Sequence, residues 1–179
     1  QTVSYAYGGS FGTGILSKHP ISSTEELVFD STTNRRSILH AVIDMPYGPQ
    51  DVYCTHLTAA FDSIPYPRAT GSWSEEQTAQ VAALRQFIDD TSTGPVVALG
   101  DFNAGPELPG GIVAEEPANY NNLVEGYDNP YLTDDGRCTF CGDNPLQLLS
   151  GDDEYRSEEA LPMLGKILAE QRATELVRS

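Results

Sequence analysis

The stretch Val96-Val97-Ala98-Leu99-Gly100-Asp101-Phe102-Asn103 constrains this chain more than any other. Four apolar residues run into a glycine, and an acid and an amide follow two places apart. Introduced by Gly94-Pro95, the run reads as a buried strand. Side chains alternate along a strand, so extension through Phe102 sets Asp101 and Asn103 on one side. A carboxylate and a carboxamide would then stand together at a buried strand's end, an arrangement suited to a metal, a water or a phosphoryl oxygen. The competing reading is a strand-ending Asx turn, in which Asp and Asn are common.

Length and charge narrow the classes. A chain of 179 residues with 39% hydrophobic content fits one globular, loop-rich domain able to bury a core. The net charge is −16, from 26 acidic against 10 basic residues. Such a field disfavours long nucleic acid as a partner unless a basic patch overrides it, and Arg35-Arg36 is the one adjacent basic pair. The same charge permits binding of divalent cations. No apolar run approaches the roughly 18 residues of a membrane helix. The segment from Gln1 to Tyr7 lacks a signal-peptide pattern, and the absence of an initiating Met reads as a processed or partial chain. Three Cys are too few for a disulfide scaffold. Cys138 and Cys141 form a CxxC without a second pair, which argues against a four-thiolate zinc site; a local disulfide and two reduced thiols both fit. Cys54 lies in an apolar strand and reads as core.

In order, the chain alternates β-prone runs with turns: Thr2 to Tyr7, Phe11 to Ser17 broken by His19-Pro20, Glu25 to Asp30, Ser37 to Asp44, then Asp51 to Leu57 after a hairpin-type loop at Tyr47-Gly48-Pro49. A loop with Pro65 and Pro67 leads to Ser72, which with Glu75 three residues on makes a capping box. Val81, Leu84, Phe87 and Ile88 fall on one face of a helix from about Glu75 to Asp90, with Gln80, Arg85, Gln86 and Asp89 elsewhere. The Val96 strand follows, an α/β order. Pro117 to Gly126 holds a short helix. Glu158 to Arg178, with Leu161, Leu164, Ile167, Leu168 and Leu176 as an apolar stripe, reads as a terminal one.

His56 ends an apolar strand as Asp101 does, and polar groups delivered at neighbouring strand ends are a common way to build a site. Taken alone, His56 is as readily a satisfied, half-buried side chain. Arg36 opens a strand and could clamp a phosphate in a fork geometry, or be a solvated charge. His19 and His40 read as structural. Asp134-Asp135 and Asp152-Asp153-Glu154 read as solvated turns, since neither follows EF-hand spacing.

The order of these signals is what distinguishes the chain. Gly14-Ile15-Leu16-Ser17-Lys18-His19-Pro20-Ile21 comes first, then Arg35-Arg36 opening a strand, Thr55-His56-Leu57, a helix, and Gly100-Asp101-Phe102-Asn103. This sequence of motifs resembles the endonuclease/exonuclease/phosphatase superfamily, the metal-dependent phosphodiesterases that include DNase I, abasic-site endonucleases and neutral sphingomyelinases. The resemblance runs from about Phe11 to Pro145. It implies a DNase I-like four-layer sandwich of α/β (α+β) class, two mostly antiparallel sheets with outer helices. By motif, His56 corresponds to the histidine that hydrogen-bonds the scissile phosphate, and Asp101 to the aspartate that orients or activates the attacking water. Asn103 corresponds to the asparagine that fixes this arrangement and touches phosphate, and Arg36, with Arg35 as the alternative, to a basic residue near the phosphate. Asp101 and Asn103 are then also the metal-side residues. The implied cofactor is Mg²⁺ or another divalent cation such as Ca²⁺ or Mn²⁺, and the implied partner a phosphodiester or phosphomonoester. In-line attack needs an oriented water, neutralised charge and a Lewis acid, which suits those residue types.

Two departures accompany the resemblance. Family members carry an Asn and a metal-holding Glu upstream of the Ile-Leu-Ser-Lys segment, and a terminal Asp-His pair. Nothing before Phe11 supplies the first, and no His follows Pro145. Residues 1–146 therefore read as a partial domain of this type, and 147–179 as an acidic turn and helix outside its pattern. The expected function is metal-dependent hydrolysis of phosphodiesters by an activated water; the alternative is an inactive or incomplete domain of the same fold with a binding role. A truncated sandwich would expose strand edges and invite pairing. Family analogy tilts localisation towards secretion.

Overall fold

The computed structural model describes residues 2–5, 12–32, 34–61, 64–107 and 113–129, all within one unit, Gln1–Asn129. The elements are β1 (Thr2–Tyr5), β2 (Gly12–Ile15), β3 (Ile21–Val28), β4 (Ser37–Met45), β5 (Gly48–His56), α1 (Trp73–Thr91), β6 (Val96–Asp101) and α2 (Pro117–Val124). The mixed α+β class expected from the sequence is what these residues form. They make two sheets, the hairpin β1-β2 and a four-stranded sheet in the order β3-β4-β5-β6.

Strand β4 is the centre of gravity of the core. Ile38, Leu39, Ala41 and Ile43 are all buried, because both of its faces are covered. On one face Ile38 and Tyr53 pack with Val81, Leu84, Phe87 and Ile88 of α1. On the other, Leu39, Ala41, Ile43 and Val52 pack with Ile15 from β2. A fully buried Leu, Ile or Val contributes about 1.5–3 kcal/mol. A two-residue turn at Pro46-Tyr47 joins β4 to β5 antiparallel, and α1 carries the chain over the sheet so that β6 joins β5 parallel. A parallel neighbour requires a crossover of this kind.

Helix α1 starts where the capping box predicts. The Ser72 hydroxyl oxygen accepts the Glu75 N–H at 3.2 Å, and the hydroxyl donates to the Glu75 carboxylate at 3.1 Å. Its apolar face is the predicted one, but Gln80 is not on the solvated side. Gln77 and Gln80 are fully buried and Glu76 nearly so, turned towards loops rather than water.

The apolar run at Val96–Leu99 also departs from expectation. Strand β6 is not a buried strand: among the described residues it lies at the sheet's edge, with Val97 40% and Leu99 53% exposed. Val96 and Ala98 face the α1 side and pack there, while the alternate side chains face outward. At the opposite edge, β3 carries Glu25 and Glu26, charges of the kind that discourage strand pairing. The described residues do not make up the four layers of the expected sandwich, and the 146/147 boundary, Cys138, Cys141, the acidic turns and the expected terminal helix lie outside them.

Candidate active site

Chain direction brings the predicted residues together. Strand β4 runs antiparallel to β5, and β5 parallel to β6, so the start of β4 and the ends of β5 and β6 share one end of the sheet. Arg36 stands just before β4, and His56 and Asp101 face each other as register partners. His56 Nε2 lies 3.6 Å from Asp101 Oδ2, within ion-pair range though longer than a hydrogen bond. The Asp101 side chain is 63% exposed, so a carboxylate with water at its back borders a half-buried imidazole.

Gly100 makes this pairing possible. It is the partner of Thr55 in the β5–β6 register and has φ +137°, a conformation that L side chains rarely adopt. A Cβ there would fall onto the Thr55 carbonyl oxygen. With no side chain at 100, β6 approaches β5 closely enough for Leu57 N–H to donate to Asp101 O at 2.9 Å.

Beyond Asp101 the chain does not stay extended. Asn103 has φ +46°, and its N–H donates to Asp101 Oδ1 at 3.0 Å. This is the Asx turn of the competing reading, and Asn often tolerates that left-handed geometry. The turn nevertheless keeps acid and amide together. Asn103 Nδ2 donates to Leu57 O at 2.8 Å, tying the turn to the residue after His56.

Opposing influences act on the His56 imidazole. Burial, and then the Arg36 guanidinium, push its imidazole below the ordinary value, against the pull of Asp101. Arg36 is 8% exposed. Arg35, the alternative, pairs with Glu26 at 2.8 Å on the surface. His40, read from the sequence as structural, is buried in the sheet. It lies 2.7 Å from the buried Asp51 carboxylate and stacks on Tyr53. His19 N–H donates to Ser17 Oγ at 3.0 Å.

Two groups near the site carry no sequence signal. Gln77 reaches the site's loops from α1. Glu115 forms an isolated bridge with Gly105, and its carboxyl is raised by burial and by Asp101. Among the described residues no group of three or more His, Cys, Asp or Glu side chains is arranged to hold a metal ion. No helix in them is long and apolar enough to cross a membrane.

The described residues thus form an α+β sheet with an imidazole, a carboxylate and a carboxamide gathered at one end, the class of fold expected from the order of motifs. The chain belongs to the Endonuclease/Exonuclease/phosphatase family, whose sequence model matches residues 2–148. Among solved structures it is similar to sphingomyelinase C from Streptomyces griseocarneus, with 18% identity and a TM-score of 0.46 over 61% of this chain. The match spans 36% of that protein's length. No curated protein matches the chain significantly.

Proposed function

We propose that this domain hydrolyses phosphodiesters by in-line attack of an oriented water, with His56, Asp101 and Asn103 as its catalytic residues. The observation that carries this reading is the pairing of His56 with Asp101 across β5 and β6, beside the Asn103 turn. Arg36 supplies positive charge at the same sheet end for an anionic phosphoryl group. The downward shift of His56 favours the neutral imidazole at neutral pH, in which one ring nitrogen still bears a proton to donate to a phosphoryl oxygen. The exposed Asp101 carboxylate is placed to accept a proton from the attacking water and orient it.

The donor set is also suited to a hard cation. A carboxylate at Asp101 and a carboxamide oxygen at Asn103 are oxygen donors, and Mg²⁺ takes few protein oxygens while keeping several waters. Mg²⁺, or Ca²⁺ or Mn²⁺ in its place, would be held there and would neutralise charge developing on the phosphoryl oxygens. The acidic charge of the chain favours a small or lipid-like phosphodiester over long DNA. Secretion is the setting that family analogy favours. The second reading, an inactive domain that binds phosphoesters, draws on the sparse carboxylate set among the described residues.

The test is turnover of bis(4-nitrophenyl) phosphate with Mg²⁺. The wild type turns over, and Asp101→Ala and His56→Ala each lower kcat by roughly 100-fold or more. Full turnover in both variants would refute the assignment. Phosphate binding without turnover in the wild type selects the second reading.

A further inference from the structure

We propose that Gln77, buried in α1, is a positioning residue that holds the Asn103 turn in its working geometry. This rests on the phosphoester-hydrolase reading of the site. Gln77 is fully buried. Its Nε2 donates to Thr58 O at 2.8 Å and to Asn103 O at 2.7 Å. One side chain thus bridges Thr58 in the loop after β5, two residues past His56, and Asn103 in the turn after β6, two residues past Asp101. Its Oε1 accepts from Asn119 Nδ2 at 2.7 Å, so α2 decides which way the amide faces. Both N–H groups and the oxygen are used, and a satisfied buried amide has one orientation.

The turn needs such a hold. Asn103 sits at positive φ, which costs free energy that surrounding contacts must offset. Its own N–H and Nδ2 are engaged by Asp101 and Leu57, and Gln77 takes its carbonyl. With that carbonyl released, the backbone at 103 is free to relax towards negative φ. The carboxamide would then swing away from Asp101 while His56, carried by a paired strand, stays in place.

Gln80 provides the control. It is equally buried, one turn further along α1, and is bound to the same loop: Thr58 N–H donates to its Oε1 at 2.8 Å, and its Nε2 lies 2.9 Å from Thr58 Oγ1. It makes no bond to Asn103. Gln77→Met and Gln80→Met therefore remove comparable buried amides, and only the first releases the turn.

The experiment compares both variants, alone and combined with Asn103→Ala, in Mg²⁺-supported turnover of bis(4-nitrophenyl) phosphate and in ¹H–¹⁵N spectra. Gln77→Met is expected to lower kcat roughly 10–100-fold with KM unchanged, while Gln80→Met keeps the wild-type kcat. In the Asn103→Ala background, Gln77→Met should have little further effect, because the group it positions is gone. Should Gln77→Met not fold, Asn119→Ala, which frees the amide to turn over, is expected to lower kcat in the same way. Wild-type kcat in Gln77→Met or in Asn119→Ala, or an undiminished loss in the Asn103→Ala background, overturns the proposal. If the wild type shows no turnover, the hydrolase reading fails on its own. The spectra then still decide: backbone resonances of Asp101 to Asn103 displaced by Gln77→Met and not by Gln80→Met support the positioning role, and equal displacement refutes it.

Discussion

A side chain at position 100 has no space to occupy, because its first carbon would meet the Thr55 carbonyl oxygen. Gly100→Ala must therefore push β6 away from β5 or give up φ +137°. We expect a loss of at least about 2 kcal/mol, read from the midpoint of urea unfolding, and a parallel loss of activity as Asp101 leaves His56. Asp51 makes a different kind of prediction. Burial opposes its ionisation, but N–H groups of Thr93 and Gly94 and the ring of His40 outweigh that and hold its carboxyl below the usual range. A carboxyl depressed in the folded state stabilises fully above its unfolded pKa of about 4, and that contribution is lost as pH falls through the folded value. Asp51→Asn should cost about 3 kcal/mol at pH 7 and flatten the fall of unfolding free energy between about pH 4 and lower values. A variant with the wild-type acid limb would show that the carboxylate is not the source. At this scale the sequence revealed residue types more readily than their geometry. The Asp101–Asn103 spacing marks the site, yet whether it continues a strand or closes a turn depends on the φ of Asn103, which spacing does not encode. The His40–Asp51 pair is illegible in the sequence because the two lie on different strands, offset by two residues in the β4–β5 register.

Helix α1 was the most legible element, since Val81, Leu84, Phe87 and Ile88 recur with helical period and Ser72 caps it. Leu84 is fully buried in the cluster beneath the helix, so Leu84→Ala is expected to destabilise by about 2–5 kcal/mol in equilibrium unfolding. Ser72→Ala removes the cap bond to Glu75 N–H and should cost about 1 kcal/mol. The reversed order of these two losses would mean that the helix is held by its end rather than its face. Gln80, off the apolar face by periodicity, is buried for a physical reason that Gln77 shares. Hydropathy sets amides on the solvated side, but Gln77 and Gln80 find partners in Thr58 and Asn103, which only tertiary folding brings near. Strand β6 departs from its pattern in the opposite sense. Val97 and Leu99 have the apolar character of a strand covered on both faces, and the described residues cover only one. Apolar pattern reports what a strand can bury against, and leaves open where that layer comes from.

The gathering of Arg36, His56 and Asp101 at one end is a property of the whole sheet rather than of any motif. It needs β4 and β5 antiparallel and β5 and β6 parallel, and the sequence order alone hints only at the second, through the intervening helix. Net charge acts on that same scale. On the proposed reading, a net charge of −16 repels a polyanion before any contact at the site, whereas a small monoanionic diester feels little beyond the local field of Arg36. The repulsion reaches about 30 Å at 0.01 M salt and about 10 Å at 0.1 M. The preference for bis(4-nitrophenyl) phosphate over duplex DNA, as a ratio of kcat/KM, should therefore be greatest at low salt and shrink as salt rises. The small substrate's own kcat/KM should change little across that range. A DNA-directed enzyme would behave in the reverse way, because counterions released from the duplex strengthen its binding as salt is lowered. Duplex DNA that competes with the small diester more strongly at 0.01 M than at 0.1 M salt would thus defeat the charge argument.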